Sequence, residues 1–285
     1  MRCSPRSTAG IAWAASELAS SAHAALGDDA LKDFDNAGWV VELPPSIQPA
    51  WLQRIRAIRL ADRLAENQQL DPTSRRFDRA LSEGPRLPSV FGAEEPAVLA
   101  AWTRYLAALR AYHRPDLRLP TLADHRVMLD RLSGSLFQLV PFLSGQQFEA
   151  IRGLGALDQF FNNLRDLAED AAHGICYFSD DVLAKAGLRR EDVLGDRWRS
   201  TRGWPRLMRF WLDEYLPEVE RGAAPFFACD DLHPSVARLR SECRARYLRI
   251  LNRFRGVGFD FRRFAEKYWR EVRERASGSR DVRRR

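Results

Sequence analysis

Residues that break helices are bunched in this chain. "ELPPSIQP", "EGPRLPSVFGAEEP" and "RPDLRLPT" hold much of its proline, while the long segments between them are rich in Ala, Leu, Arg and Glu. Those segments repeat their apolar residues at helical intervals, and strand-like alternation of Val, Ile and Thr is nearly absent. This pattern restricts the chain to an all-α fold. Helices are expected over 8–26, 48–68, 73–82, 94–112, 121–143, 146–172, 180–187, 203–217, 233–256 and 259–275. No repeat or long linker divides them, and 285 residues with 45% hydrophobic content can enclose one sizeable core. The expected organisation is an N-terminal extension over 1–29, one helical domain over 30–275 and a frayed basic tail over 276–285.

The net charge of +7 comes from scattered arginines rather than one block, so nucleic acid is not an expected partner. Cys3, Cys176, Cys229 and Cys243 are too widely spaced for a metal knuckle or a redox pair. They fit a reducing cytoplasm. No apolar run approaches the roughly 20 residues of a membrane span.

The stretch "LDQFFNNLRDLAED" at 157–170 carries the chemistry. Gln159, Asn162, Asp166 and Asp170 recur every three or four residues, which stacks them on one face of a helix, with Leu157, Phe161, Leu164 and Ala168 roughly opposite. By period alone this is either the solvated side of an amphipathic helix or an assembled polar site. Two Asp at i, i+4 offer hard oxygen ligands suited to Mg²⁺, and a neighbouring Asn oxygen can join them.

Extended by "AAHGICYFSDDVLAKAGL", the stretch resembles the second aspartate-rich motif of the squalene/phytoene synthase family. Gln159, Asn162, Arg165, Asp166, Asp170, Gly174, Tyr177, Asp181, Leu183, Gly187 and Leu188 occupy the motif positions. "DFDNAGWVVELPPSIQPAWLQRIRAIRLADRLAEN" is similar to the opening segment and first aspartate-rich helix. "LPTLADHRVMLDRLSGSLFQL" resembles the small-residue helix, and "ARYLRILNRFRGVGFDFRR" the C-terminal helix; together the likeness covers about residues 30–265.

The resemblance implies an isoprenoid-synthase-type bundle around a central active-site cavity. It implies a prenyltransferase, with Mg²⁺ held by Asp62, Asn162, Asp166 and Asp170 and with Asp166, Asp170, Asp62 and Glu66 as the catalytic acids. Arg59, Arg63, Gln159, Asn162, Arg165 and Tyr177 would bind diphosphate. Ser133, Leu136, Phe137 and Phe160 would line the pocket for the prenyl group and its acceptor, keeping water from an allylic cation.

One departure matters. Where the family's first motif resembles R-x-x-D-D-x-x-D, this chain has Arg59, Asp62, Arg63 and Glu66, so a middle acid becomes a base. Arg63 either faces inward, repelling metal and gripping phosphate, or points away. An altered first motif suits transfer of one prenyl group (dimethylallyl, geranyl or farnesyl) to an aromatic indole- or carbazole-type acceptor, a reaction of secondary metabolism. The alternatives are head-to-head joining of two prenyl diphosphates, as in squalene, hydroxysqualene or phytoene synthesis, which the "LPP" after "GWVVE" favours, and a pseudoenzyme acting as an assembly factor. Trp102, Trp204 and Trp211 are expected in the core, and His125 and His173 at caps or the surface. His23 and His113 carry no signal, and monomer and homodimer both remain open.

Overall fold

The computed structural model of the chain describes residues 28–281 apart from 72, 74, 83–95, 115 and 196. The expected helix over 8–26 therefore lies outside the described residues, as does Cys3. Among the described residues the regular structure is helical and no strand occurs. The helices are α1 (Asp28–Ala37), α2 (Gln48–Leu70), α3 (Arg76–Ser82), α4 (Pro96–Tyr112), α5 (Leu122–Leu129), α6 (Gly145–Arg165), α7 (Leu167–Ala172), α8 (Asp180–Ala186), α9 (Arg190–Leu194), α10 (Gly203–Arg209), α11 (Leu216–Phe227), α12 (Pro234–Gly256) and α13 (Phe261–Asp281).

Helix α6 is the axis of the bundle, packed on α5, α11 and α12. Its start is fixed by a capping box in which Ser144 and Gln147 satisfy each other's backbone N–H groups. Two π-helical stretches flank it, Asp130–Gly134 after α5 and Phe210–Tyr215 between α10 and α11. The first presses so closely on α6 that a Cβ at Gly155 would stand 2.1 Å from the Ser133 carbonyl oxygen. Only glycine allows that approach, which brings Ser133 Oγ to 2.6 Å from Gln159 Oε1 as a hydrogen-bond donor. Wide-turn insertions of this kind commonly sit beside functional sites because they re-aim a few side chains.

Helix α2 buries Ala57, Ala61 and Ala65, four apart on one face, and packs on α3 and α4. Trp102, Trp204 and Trp211 are all buried, as expected, and Phe161 stacks on Tyr247 at 4.5 Å.

Several boundaries differ from the sequence expectation for identifiable reasons. The 146–172 segment breaks at Asp166, whose ψ of 4° leaves the helical range. Side chains at i and i+1 of a regular helix diverge, yet Arg165 and Asp166 are drawn into one ion-pair network here. The 203–217 segment continues to Phe227, because Pro217 occupies a first turn, where no N–H is needed. The tail is helical to Asp281, since Phe264, Tyr268, Val272 and Ala276 extend a buried stripe at i+4 spacing. His125 is fully buried rather than capping or exposed: its Nδ1 lies 2.8 Å from the Tyr215 hydroxyl and its ring meets Trp211 edge-on. His173, at the C-terminal end of α7, is exposed as expected.

Candidate active site

A cavity of about 310 Å³ opens between α1, α2, α4 and α6. Of the residues expected at a site, it is lined by Arg59, Asp62, Arg63, Glu66, Ser133, Leu136, Phe137, Gln159, Asn162, Arg165, Asp166, Asp170 and Tyr177. Phe160, expected in the pocket wall, does not line it. Gln159, Asn162, Asn163 and Asp166 turn one face of α6 inward, which carries Phe160 away to stack on Trp211 at 5.8 Å.

The acids at the end of α6 sit in a charged, buried frame. Arg165 donates from Nε and Nη2 to the two oxygens of Asp166, at 2.9 and 2.8 Å. Its Nη1 reaches Asn36 Oδ1 at 2.8 Å and Asp35 Oδ2 at 3.4 Å, and its guanidinium lies 5.4 Å from the Trp269 ring. Arg165 is thus committed to positioning Asp166 rather than offering an open fork to diphosphate, a correction to its expected role. Asp35, wholly buried, is the hub: Tyr268 Oη donates to it at 2.7 Å and Arg249 Nη2 at 2.9 Å.

Electrostatics separates the two acids. Burial pushes Asp166 upward, but Arg165 and Lys32 outweigh it and hold the carboxyl below its ordinary value. Asp170 lacks such a partner; burial, together with Asp166, Glu169 and Glu66, raises it well above the usual carboxylate range despite Lys32. Burial and the acids Asp170, Glu66, Asp62 and Asp166 likewise keep the Tyr177 phenol protonated. All four acids therefore act on one phenol.

A divalent cation fits this donor set. Asn162 Nδ2 donates to Asp158 Oδ2 at 3.0 Å, while Asn162 Oδ1 is buried without a hydrogen-bond partner. A lone amide oxygen beside two carboxylates, one of them crowded by like charge, supplies hard ligands and a deficit of positive charge.

On the opposite wall, Asp62 and Glu66 lie one turn apart on α2. Tyr105 Oη stands 3.5 Å from Asp62 Oδ1, and His113 Nε2 stands 3.8 Å from the same oxygen. Burial lowers His113 from its ordinary value against the pull of Glu66, so the ring is neutral at pH 7. Arg59 pairs with Asp33, and Arg63 Nη2 lies 3.8 Å from the same carboxylate with 53% of its side chain exposed.

The chain belongs to the squalene/phytoene synthase family. The family's sequence model matches residues 42–273, most of the chain. Among curated relatives, phytoene synthase 2 of Zea mays, a chloroplastic protein, is 37% identical over 78 residues, 26% of this chain and 19% of the relative. The chloroplastic phytoene synthase of Narcissus pseudonarcissus is 46% identical over 57 residues, 19% of this chain and 14% of the relative. Phytoene synthase 1 of Arabidopsis thaliana is 34% identical over 84 residues, 28% and 19% of the two chains. The matched stretches thus span less than a fifth of the length of these relatives. Family enzymes depend on divalent metal and use prenyl diphosphates. Among the described residues, no helix is long and apolar enough to cross a membrane.

Sequence reasoning missed Lys32, Asp33, Asp35, His113, Asp158 and Arg246, which line or brace the cavity. "KDFDN", carrying Lys32, Asp33, Asp35 and Asn36, holds the only local signal, a dense alternation of charge in the segment similar to the family's opening.

Proposed function

We propose that this protein condenses two allylic prenyl diphosphates head to head, as squalene, hydroxysqualene and phytoene synthases do, with Mg²⁺ at the second acid pair. The observation that carries this reading is the convergence of Asp62, Glu66, Asp166 and Asp170 on one cavity, where all four raise the same Tyr177 phenol. A chain using a single diphosphate needs one such wall; this cavity has two. Transfer to an aromatic acceptor rests on Arg63 disabling the first pair; Arg63 lines the cavity half-exposed, with its charge beside Asp33, and Asp62 and Glu66 line the same cavity.

Bound Mg²⁺ supplies neutralisation of the leaving diphosphate's charge. The protein does the rest. Asn162, Asp166 and Asp170 would hold the cation, and Arg165 with Asp35 fixes Asp166 in place before substrate arrives. Lys32, kept protonated by Asp166 and Glu169 despite burial, adds positive charge on the same wall. Tyr177, held as the neutral phenol, can donate a hydrogen bond to a diphosphate oxygen. When the allylic C–O bond breaks, its electron pair leaves with diphosphate and a cation remains. Leu132, Leu136, Phe137, Leu139 and Val140 form the apolar wall that keeps water from that cation.

The experiment is product analysis with purified protein, Mg²⁺ and farnesyl or geranylgeranyl diphosphate alone, then with indole added. A C30 or C40 product from diphosphate alone is expected. Prenylated indole with no such product would overturn the reading.

A further inference from the structure

Asp158 stands four residues before Asn162 on α6, so the two side chains stack one turn apart on the face that lines the cavity. Both of its carboxylate oxygens are engaged. Oδ1 accepts from Arg246 Nη2 and from the Tyr247 hydroxyl, the latter at 2.8 Å, and Oδ2 accepts from Asn162 Nδ2 at 3.0 Å. The two donors from α12 are themselves fixed. Arg246 Nη1 donates to the Asp35 carbonyl at 3.3 Å, the Tyr247 ring stacks on Phe161 at 4.5 Å, and burial keeps its phenol protonated.

Neutralising Arg246 accounts for Oδ1 alone. Oδ2 has a separate effect: a carboxylate can only accept, so Asn162 has to turn its nitrogen toward Asp158 and its oxygen away. That oxygen is the buried atom left with no hydrogen-bond partner. A side-chain amide offers a cation an oxygen ligand at one end and a repelling N–H dipole at the other, so its orientation decides whether it coordinates at all. We infer that Asp158, backed by Arg246 and Tyr247, is a positioning residue that selects the orientation in which Asn162 Oδ1 is the cation ligand. This role rests on the second acid pair holding the cation and on no particular product.

Asp158→Asn isolates the role. The new amide oxygen stays against Arg246 and Tyr247, both donors, which turns its nitrogen toward Asn162; Asn162 then accepts with Oδ1, and that oxygen is lost as a ligand. Adding Asn162→Asp removes the choice, because a carboxylate accepts from that nitrogen with one oxygen and keeps the other for the cation. The measurement is Mn²⁺ binding to purified full-length protein with inorganic pyrophosphate, read from the electron paramagnetic resonance signal of free Mn²⁺. Asp158→Asn should weaken binding about 10–100-fold, and the double variant should return it to within about threefold of wild type. If Asp158 only anchors Arg246, the second substitution restores nothing. A folded Asp158→Asn protein with wild-type affinity, or a folded double variant that binds no tighter than the single one, would therefore overturn the assignment. Where Asp158→Asn fails to fold, wild-type crystals soaked with Mn²⁺ and pyrophosphate decide: Asn162 Oδ1 should coordinate the ion with Nδ2 still on Asp158, and an ion bound without Asn162 would overturn the assignment. Prenylated indole in place of a head-to-head product leaves these binding readouts unchanged, so the two claims fail separately.

Discussion

Asp166 is 15% exposed and gripped by Arg165, itself 2% exposed, whereas Asp62 across the cavity is 42% exposed and its neighbours stand 3.5 and 3.8 Å away. The second acid pair is thus built rigidly, on a helix break locked by a buried ion network. The first sits on an unbroken helix, with partners brought from another element. The buried ion pair at one wall places charge before substrate arrives, while the other wall is more open to solvent.

Asp35→Asn should produce the largest effect. It takes the buried carboxylate from Arg249 and leaves Arg165 with Asp166 as its one counter-charge in this network, and removal of one partner from a buried ion network costs about 3–5 kcal/mol. Urea denaturation measures it. A loss below ~1 kcal/mol would mean that the second wall is no more rigid than the first.

Asp170→Ala should leave the fold intact, because no protein group pairs with this carboxylate as Arg165 pairs with Asp166 and Asp170 is raised by its neighbours. Turnover with Mg²⁺ should fall about a hundredfold or more, with an unchanged circular dichroism spectrum. Full activity in this variant, or in excess EDTA, would remove the second wall from catalysis.

How much of this was legible in the sequence follows from distance along the chain. Asp166, Asp170, Asn162 and Gln159 lie within one helix-length, so their shared face is visible from spacing. Asp35 meets Arg165 across 130 residues and Tyr268 across 233, and His113 meets Asp62 only where α4 ends, which no local period encodes. Phe160 shows the other limit. Period places it about 100° from Gln159, but which flank of a polar face adjoins the core is set by α11 and the π stretch at 210–215. Those π stretches carry no sequence signature of their own.

His125 tests whether the far core is as firmly set as the second wall. Burial, with Arg126 adding to it, lowers His125 from 6.5 to about 3, so the unfolded chain takes up this proton first as pH falls. The stability it confers is complete above about 6.5 and is lost as pH drops toward 3. Wild type should lose about 1.4 kcal/mol more per pH unit than His125→Gln between pH 6 and 4. Parallel curves would show that the ring is already hydrated in the native state.

The smallest effect belongs to Arg63. A guanidinium 53% exposed and 3.8 Å from a carboxylate contributes about 0–1 kcal/mol, so Arg63→Ala should change KM for the diphosphate less than about fivefold and leave the product unaltered. The sharper variant is Arg63→Asp, which restores the family's middle acid and changes the local charge by two units. If Arg63 faced the metal ligands, that change would strengthen cation binding at the first wall and accelerate turnover by an order of magnitude. With the side chain turned to Asp33 instead, Arg63→Asp sets two acids together, gains no metal ligand, and should give a rate within about threefold of wild type. Product analysis and a Mn²⁺ titration on the same variant decide between these outcomes: a tenfold gain in rate and Mn²⁺ affinity would show that Arg63 opposes cation binding at the first wall and that an acid repairs it.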